Sequence, residues 1–187
     1  MFRLVLMAVS LRLSSGAGVA SARDFISRVE ELDHIPAVNP NYPAPNDANL
    51  LFYVQRSANS NTVVYVARPD RRDEPVEAYW RLFNIDGRTR GLNLVERLLA
   101  FGVSDVRRTG SAVTFHIRAL PERELTLAPD PNGRLAAWTR FADRPVRLVY
   151  VYLQVDDHGL VPSVPWLDLF GLDQRNGRPL REHLVPR

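Results

Sequence analysis

The chain has 187 residues, 45% of them hydrophobic and 24% charged, with no cysteine and a formal charge of +3. A domain typically holds roughly 100–200 residues, so the length fits one domain with short appendages, large enough to fold without disulfides or metal. Without cysteine there is no thiolate metal site, catalytic thiol or disulfide-linked partner, and the composition excludes collagen-like, coiled-coil and wholly disordered classes.

Met1-Phe2-Arg3 is a short positive start, followed by the apolar stretch 4–11 and by small residues leading to Ala20-Ser21-Ala22. That is the pattern of a signal peptide over residues 1–22, cleaved near Ala22 to leave Arg23 as the new terminus. Arg12 trims its apolar core to about the minimum length. The expected location is periplasmic or secreted. No run approaches the roughly 20 apolar residues of a spanning helix, so the chain is expected not to be membrane-spanning. All 24 basic residues are Arg. Losing Arg3 and Arg12 leaves 22 of them against 21 acids, a balance of +1, so the pI near 9.7 overstates the basic character. Such a balance gives no electrostatic footprint for nucleic acid.

Residues 23–47 read as a short helix and a linker. Asp24 is placed to cap a helix whose face is Phe25, Val29 and Leu32, at i, i+4 and i+7. Residues 36–47 hold Pro40, Pro43 and Pro45 with Asn39, Asn41 and Asn46, and read as extended. Residues 48–187 then form a single β-rich domain. Two β-rich runs, 50–56 and 62–68, flank the polar loop 57–61 and predict a hairpin. Residues 76–83 follow, ending at the turn Asp86-Gly87. Residues 92–101 break the pattern with helical spacing of Leu92, Val95 and Leu99, and Gly102 stands as a C-terminal cap. Further strands are expected at 112–119, 124–127, 134–140, 147–155, 164–170 and 178–184. In 147–155 the alternation puts Val149, Val151, Leu153 and Val155 on one face, with Tyr150, Tyr152 and Gln154 on the other. The fold expected is mostly β: an antiparallel β-sandwich or barrel-like sheet of about eight or nine short strands. One α-helix, about 92–101, packs on it by its Leu-rich face.

Several of these segments, in this order, resemble a known family. They are residues 51–65 (LFYVQRSANSNTVVY), 76–87 (VEAYWRLFNIDG), 92–103 (LNLVERLLAFGV), 147–156 (RLVYVYLQVD) and 166–184 (WLDLFGLDQRNGRPLREHL). The chain over about residues 48–184 is similar to the domain of unknown function 4833 family. The resemblance implies a bacterial, usually exported, β-rich domain, and it carries over no catalytic role.

The chemistry-bearing residues form few recognisable patterns. His34, His116, His158 and His183 have no metal-ligand spacing, and Asp156-Asp157-His158-Gly159 reads as a turn, so no metal or cofactor is expected. There is no G-x-S-x-G elbow, no S-x-x-K and no Walker loop. A hydrolase of the envelope, acting on a glycan or ester, would use the paired carboxylates Glu122 and Glu124, or Asp168 and Asp173. Trp80, Trp138 and Trp166 would line its cleft, or else Ser57 or Ser60 would meet a histidine in space. A closed barrel carrying a small apolar ligand is a third reading. The leading one is an exported, non-enzymatic module that binds an unknown protein or envelope component. Its candidate binding residues are Arg56, Asn59, Asn61, Tyr79, Trp80 and Arg81, because Arg beside Tyr and Trp suits a carboxylate, a phosphate or a protein hot spot. The plain alternative pairs Arg56 with Glu96 or Glu77 and leaves the asparagines to build the hairpin turn.

Overall fold

The computed structural model describes residues 25–110, 112–158 and 163–186. The signal peptide read over residues 1–22, its cleavage point and Gly159 lie outside the described residues. The described chain is mostly β, with twelve strands and one short helix in a curled half-barrel. In chain order the elements are β1 (Phe25–Glu31), β2 (Leu50–Arg56), β3 (Asn59–Ala67), β4 (Val76–Arg81), β5 (Thr89–Gly91), α1 (Leu94–Leu99) and β6 (Val103–Thr109). Then come β7 (Ala112–Ile117), β8 (Leu120–Pro129), β9 (Leu135–Phe141), β10 (Arg144–Asp156), β11 (Ser163–Asp173) and β12 (Pro179–Pro186).

Strand β10 is the spine. Along one edge it pairs with β11 from Val146 to Asp156. Its other edge is shared: residues 144–147 pair with β9, and Tyr150 to Leu153 pair with β2. Three wings grow from it, namely β9-β8-β7-β6, β2-β3-β4-β5 and β11-β12-β1. The β10–β2 pair is parallel, so the sheet is mixed where an antiparallel one was expected. Neighbouring strands joined by hairpins must be antiparallel, but β2 and β10 are far apart in sequence and free of that constraint.

The inner faces of the wings enclose the main core, with Phe52, Val63, Tyr65, Phe115, Phe141, Val146 and Leu169 fully buried. Tyr65 stacks on Phe52 at 4.4 Å and donates its hydroxyl to Phe101 O, and burial pushes its pKa up. On the opposite face Tyr150, Tyr152 and Phe170 form a second cluster with Tyr53 and Trp166. Residues 32–49 lie over this cluster through Leu32, Ile35 and Val38, and the Tyr150 hydroxyl donates to Pro36 O. The Pro/Asn-rich stretch carries no strand or helix, turns at Asn39–Tyr42, and through Val38 helps to close an apolar face.

Three expectations need correction. Residues 25–31 are a strand, paired with β12 from Phe25↔Pro186 to Glu31↔Leu180, where a helix was expected. Their apolar spacing fits a helix, but the ladder to β12 satisfies every second backbone group and decides the conformation. Second, α1 does not pack by its Leu-rich face: it has no buried residue, and Leu94, Val95, Leu98 and Leu99 are all exposed. What is buried are its flanks, Leu92, Ala100 and Phe101. Third, the alternation predicted for β10 is interrupted by a bulge between Leu148 and Tyr150. Val146 and Leu148 face the main core before it, Val151, Leu153 and Val155 after it, and Val149 joins the outer cluster.

Candidate functional site

The sequence constellation is divided by the pleat of the sheet. Side chains alternate along β4, so Trp80 turns into the core while Tyr79 and Arg81 turn out. Trp80 meets the Phe101 ring edge-on at 5.3 Å. The Arg56 guanidinium lies 4.6 Å from the centre of the indole, and that of Arg90 lies 5.7 Å away. Arg56 is 6% exposed, donates to Asn59 Oδ1 at 3.2 Å, and leaves its Nε without a partner. Burial pushes its pKa down to about 10, against an opposing pull from Glu96, so it keeps its charge at neutral pH. Neither acid expected to pair with it does so: Glu77 binds Arg68 at 2.5 Å and Glu96 binds Arg90 at 2.8 Å. Glu96 also caps α1 reciprocally with Asn93. Burial opposes the Glu96 charge, but Arg90, the Asn93 amide and the nearby Trp80 indole hold its pKa low. The indole N–H is close without closing a hydrogen bond of normal geometry.

The two asparagines shape the hairpin. Arg56 pairs with Asn59 across a turn of only two residues, Ser57 and Ala58, tighter than the five-residue loop expected. Asn59 Oδ1 accepts from the Asn61 amide, and Asn61 Oδ1 accepts from the Asn84 amide. On the outer side Tyr79 donates to Asp47 Oδ1 at 2.6 Å, and Arg81 forks onto the same carboxylate at 2.5–3.1 Å. Burial works against the Asp47 charge, yet Arg81 and Tyr79 hold its pKa below the ordinary range. Arg56, Asn59 and Trp80 are therefore together, while Tyr79 and Arg81 are separated from them and committed to Asp47.

A sizeable concavity lies elsewhere, where β8 and β9 come over β12 and β1. It is an open groove of about 690 Å³, within the range of ligand sites, roughly 300–1,000 Å³. Trp138 forms one wall, half-buried and pinned by its indole N–H to Ala128 O at 3.2 Å. Glu122 and Glu124 line it from β8 with exposed side chains, with Arg123 between them in the same groove, where the β7–β8 register is irregular. At the floor Glu182, 2% exposed, accepts from the Ser27 hydroxyl at 2.6 Å. Arg123 Nη2 stands 2.8 Å from Glu182 Oε2, near enough for an ion pair although misaligned as a hydrogen bond. Arg123 also donates to Arg140 O. Sequence reading picked out Glu122, Glu124 and Trp138 but missed Ser27, Arg123 and Glu182. One mark of the floor was visible: a charged residue interrupting the inward series Leu180, Glu182, Leu184.

Other catalytic groupings are dispersed. Asp168 Oδ1 and His183 Nδ1 are 2.7 Å apart on the outer face, beside Trp166, whereas Asp173 is held by Arg144 at 2.6 Å. Neither aspartate lines the groove. Ser57 exchanges hydrogen bonds with the Val155 backbone, donating to its O and accepting from its N, and meets no histidine. Among the described residues no group of three or more His, Asp or Glu is arranged to hold a metal ion, and no helix is long and apolar enough to cross a membrane. An apolar, partly enclosed pocket, lined by Phe25, Val54, Phe101 and Leu153 among others, measures about 50 Å³.

Fold and groove define a small β half-barrel domain with a groove of mixed polar and apolar lining at its seam. The model of a family described as a domain of unknown function, DUF4833, matches residues 52–183, and the chain belongs to that family. No curated protein and no solved structure matches it.

Proposed function

We propose that this protein is an exported, non-enzymatic binding module of the cell envelope, and that its groove holds an extended polar ligand of the size of a short glycan. The observation that carries this reading is the pairing of the Trp138 wall with Glu122 and Glu124 in one groove of about 690 Å³. An indole face takes the apolar side of a sugar ring, and carboxylates beside it accept from hydroxyl groups. The buried acid of the floor, Glu182, is engaged by Ser27 and Arg123, which suits a structural role. An apolar pocket of about 50 Å³ favours a groove ligand over a small lipid in the interior. Export rests on the pattern of residues 1–22.

The test is a thermal-shift and calorimetric titration of the chain from residue 23 with peptidoglycan fragments and defined oligosaccharides. At 100 times the dissociation constant a ligand stabilises by about 2.7 kcal/mol. A shift of several degrees that disappears in Trp138→Ala is expected. A panel without any shift, or a shift that survives Trp138→Ala unchanged, sinks the reading.

A further inference from the structure

Six of the seven large apolar side chains exposed among the described residues fall between positions 85 and 106, and four of them make up most of α1. Leu94 is 70% exposed and Leu98 52%. The helix is nonetheless firmly held. Its Asn93–Glu96 capping box closes one end, the Arg90–Glu96 ion pair ties it to β5, and Leu92, Ala100 and Phe101 anchor the flanks. Gly102 lets the chain pass beneath it, since a Cβ there would stand 1.9 Å from Arg97 O. A rigid mount that turns four apolar side chains to water does nothing for folding, and marks a contact surface.

Its surroundings point to the occupant. Between residues 85 and 108 there are five Arg and three acids. Asp86 and Glu96 are matched by Arg88 and Arg90. Among the described residues, Arg97, Arg107 and Arg108 then remain without a carboxylate partner, with Asp105 the one acid left over. Four side chains on a six-residue helix fall far short of the roughly 800 Å² per partner of a stable protein interface. They suffice for an interfacial anchor, which sinks its apolar side only about 5–10 Å into the lipid boundary and gains from basic neighbours when the lipid is anionic.

We propose that α1 is a peripheral membrane contact: Leu94, Val95, Leu98 and Leu99 enter the headgroup–acyl boundary of an anionic phospholipid surface, with Arg97 against its phosphates. This site is separate from the groove and does not depend on what the groove binds. The chain from residue 23, which contains every described element, is sedimented with phosphatidylcholine vesicles and with equimolar phosphatidylglycerol–phosphatidylcholine vesicles. The native chain is expected to pellet with the anionic vesicles. In Leu94→Gln/Leu98→Gln the bound fraction should fall about tenfold, and in Arg97→Gln several-fold, with Tm unchanged because these side chains are exposed. A Leu98→Trp chain should lose fluorescence to lipids brominated near the headgroup, more than the native chain does. Equal pelleting of the double variant, or failure of the native chain to pellet, overturns the proposal. So does a dimer in solution that Leu94→Gln/Leu98→Gln dissolves, which makes α1 a contact between copies.

Discussion

Arg56 on β2 and Arg81 on β4 are both short of solvent, yet they stand in opposite electrostatic situations. Arg81 closes a fork on Asp47, whose side chain is 4% exposed. Arg56 has one hydrogen bond, an indole face and an unpartnered Nε. Breaking a buried pair strands the remaining charge, whereas replacing a poorly matched buried charge by an apolar isostere is often neutral. Arg81→Met is therefore expected to cost about 2–3 kcal/mol, and Arg56→Met to change stability by less than about 1 kcal/mol. Chemical denaturation of both variants checks the contrast, and equal losses would contradict it. The pair also sets an acid limit. Asp47 has a folded pKa below its unfolded one, so its contribution is complete above the ordinary carboxylate range near about pH 4 and is lost as pH falls through the folded value. Asp47→Asn should lower stability at pH 7 and flatten its decline below about pH 4, measured by the same denaturation series. None of this was legible in the sequence: Asp47 closes the stretch read as a linker, 34 residues from its Arg partner.

At the scale of elements, short-range pattern carried most of the information. All nine strands expected from alternation and turn residues are present, because each has an apolar face and flanking turn signals. Three strands were not expected: β1, where the apolar spacing pointed to a helix, and β5 and β6, which are short or almost wholly exposed and borrow their conformation from β4 and β7. The helix was legible from its spacing but its orientation was not, since periodicity reports an apolar face and not whether anything covers it. Gly171 shows a constraint of the same kind. It sits opposite Leu148 at the β10 bulge, where an added Cβ would come within 2.2 Å of Val146 Cγ1 and 2.6 Å of Arg147 O. Gly171→Ala must push β11 off the spine, and overpacking of this kind costs about 1–3 kcal/mol. A fall in Tm of about 3–10 °C follows for a domain of this length. Gly91→Ala on β5, with nothing within 4 Å of the new carbon, should leave Tm unchanged in the same melting experiment.

Across the whole molecule, the feature furthest from sequence is closure. The parallel β2–β10 pair and the branching of three wings from β10 arise from long-range pairing, which local pattern does not encode. The groove follows from that branching, because β8 and β12 belong to different wings and come together through side chains. Arg123 and Glu182 are their ion pair, 19% and 3% exposed at the side chain. Arg123→Met leaves a carboxylate buried at the floor with only Ser27 as donor, at a cost of about 3 kcal/mol. Glu182→Leu alone strands Arg123, but Arg123→Met/Glu182→Leu removes both charges and should recover most of the loss, giving a coupling of about 1–3 kcal/mol in a double-mutant cycle. Because the clamp joins the β1–β12 wing to β8, hydrogen exchange in Arg123→Met should rise in β1, β12 and the first half of β8 before it rises in β2, β3 and β4. Additive losses, or exchange that rises evenly over all three wings, would show that backbone pairing to β10 holds the half-barrel shut without the clamp. The predicted order has a physical basis: among the described strands β1 is backbone-paired with β12 alone, so beside the Glu31–Arg144 pair to β10 the wing is tied across the groove by the ion pair at Glu182.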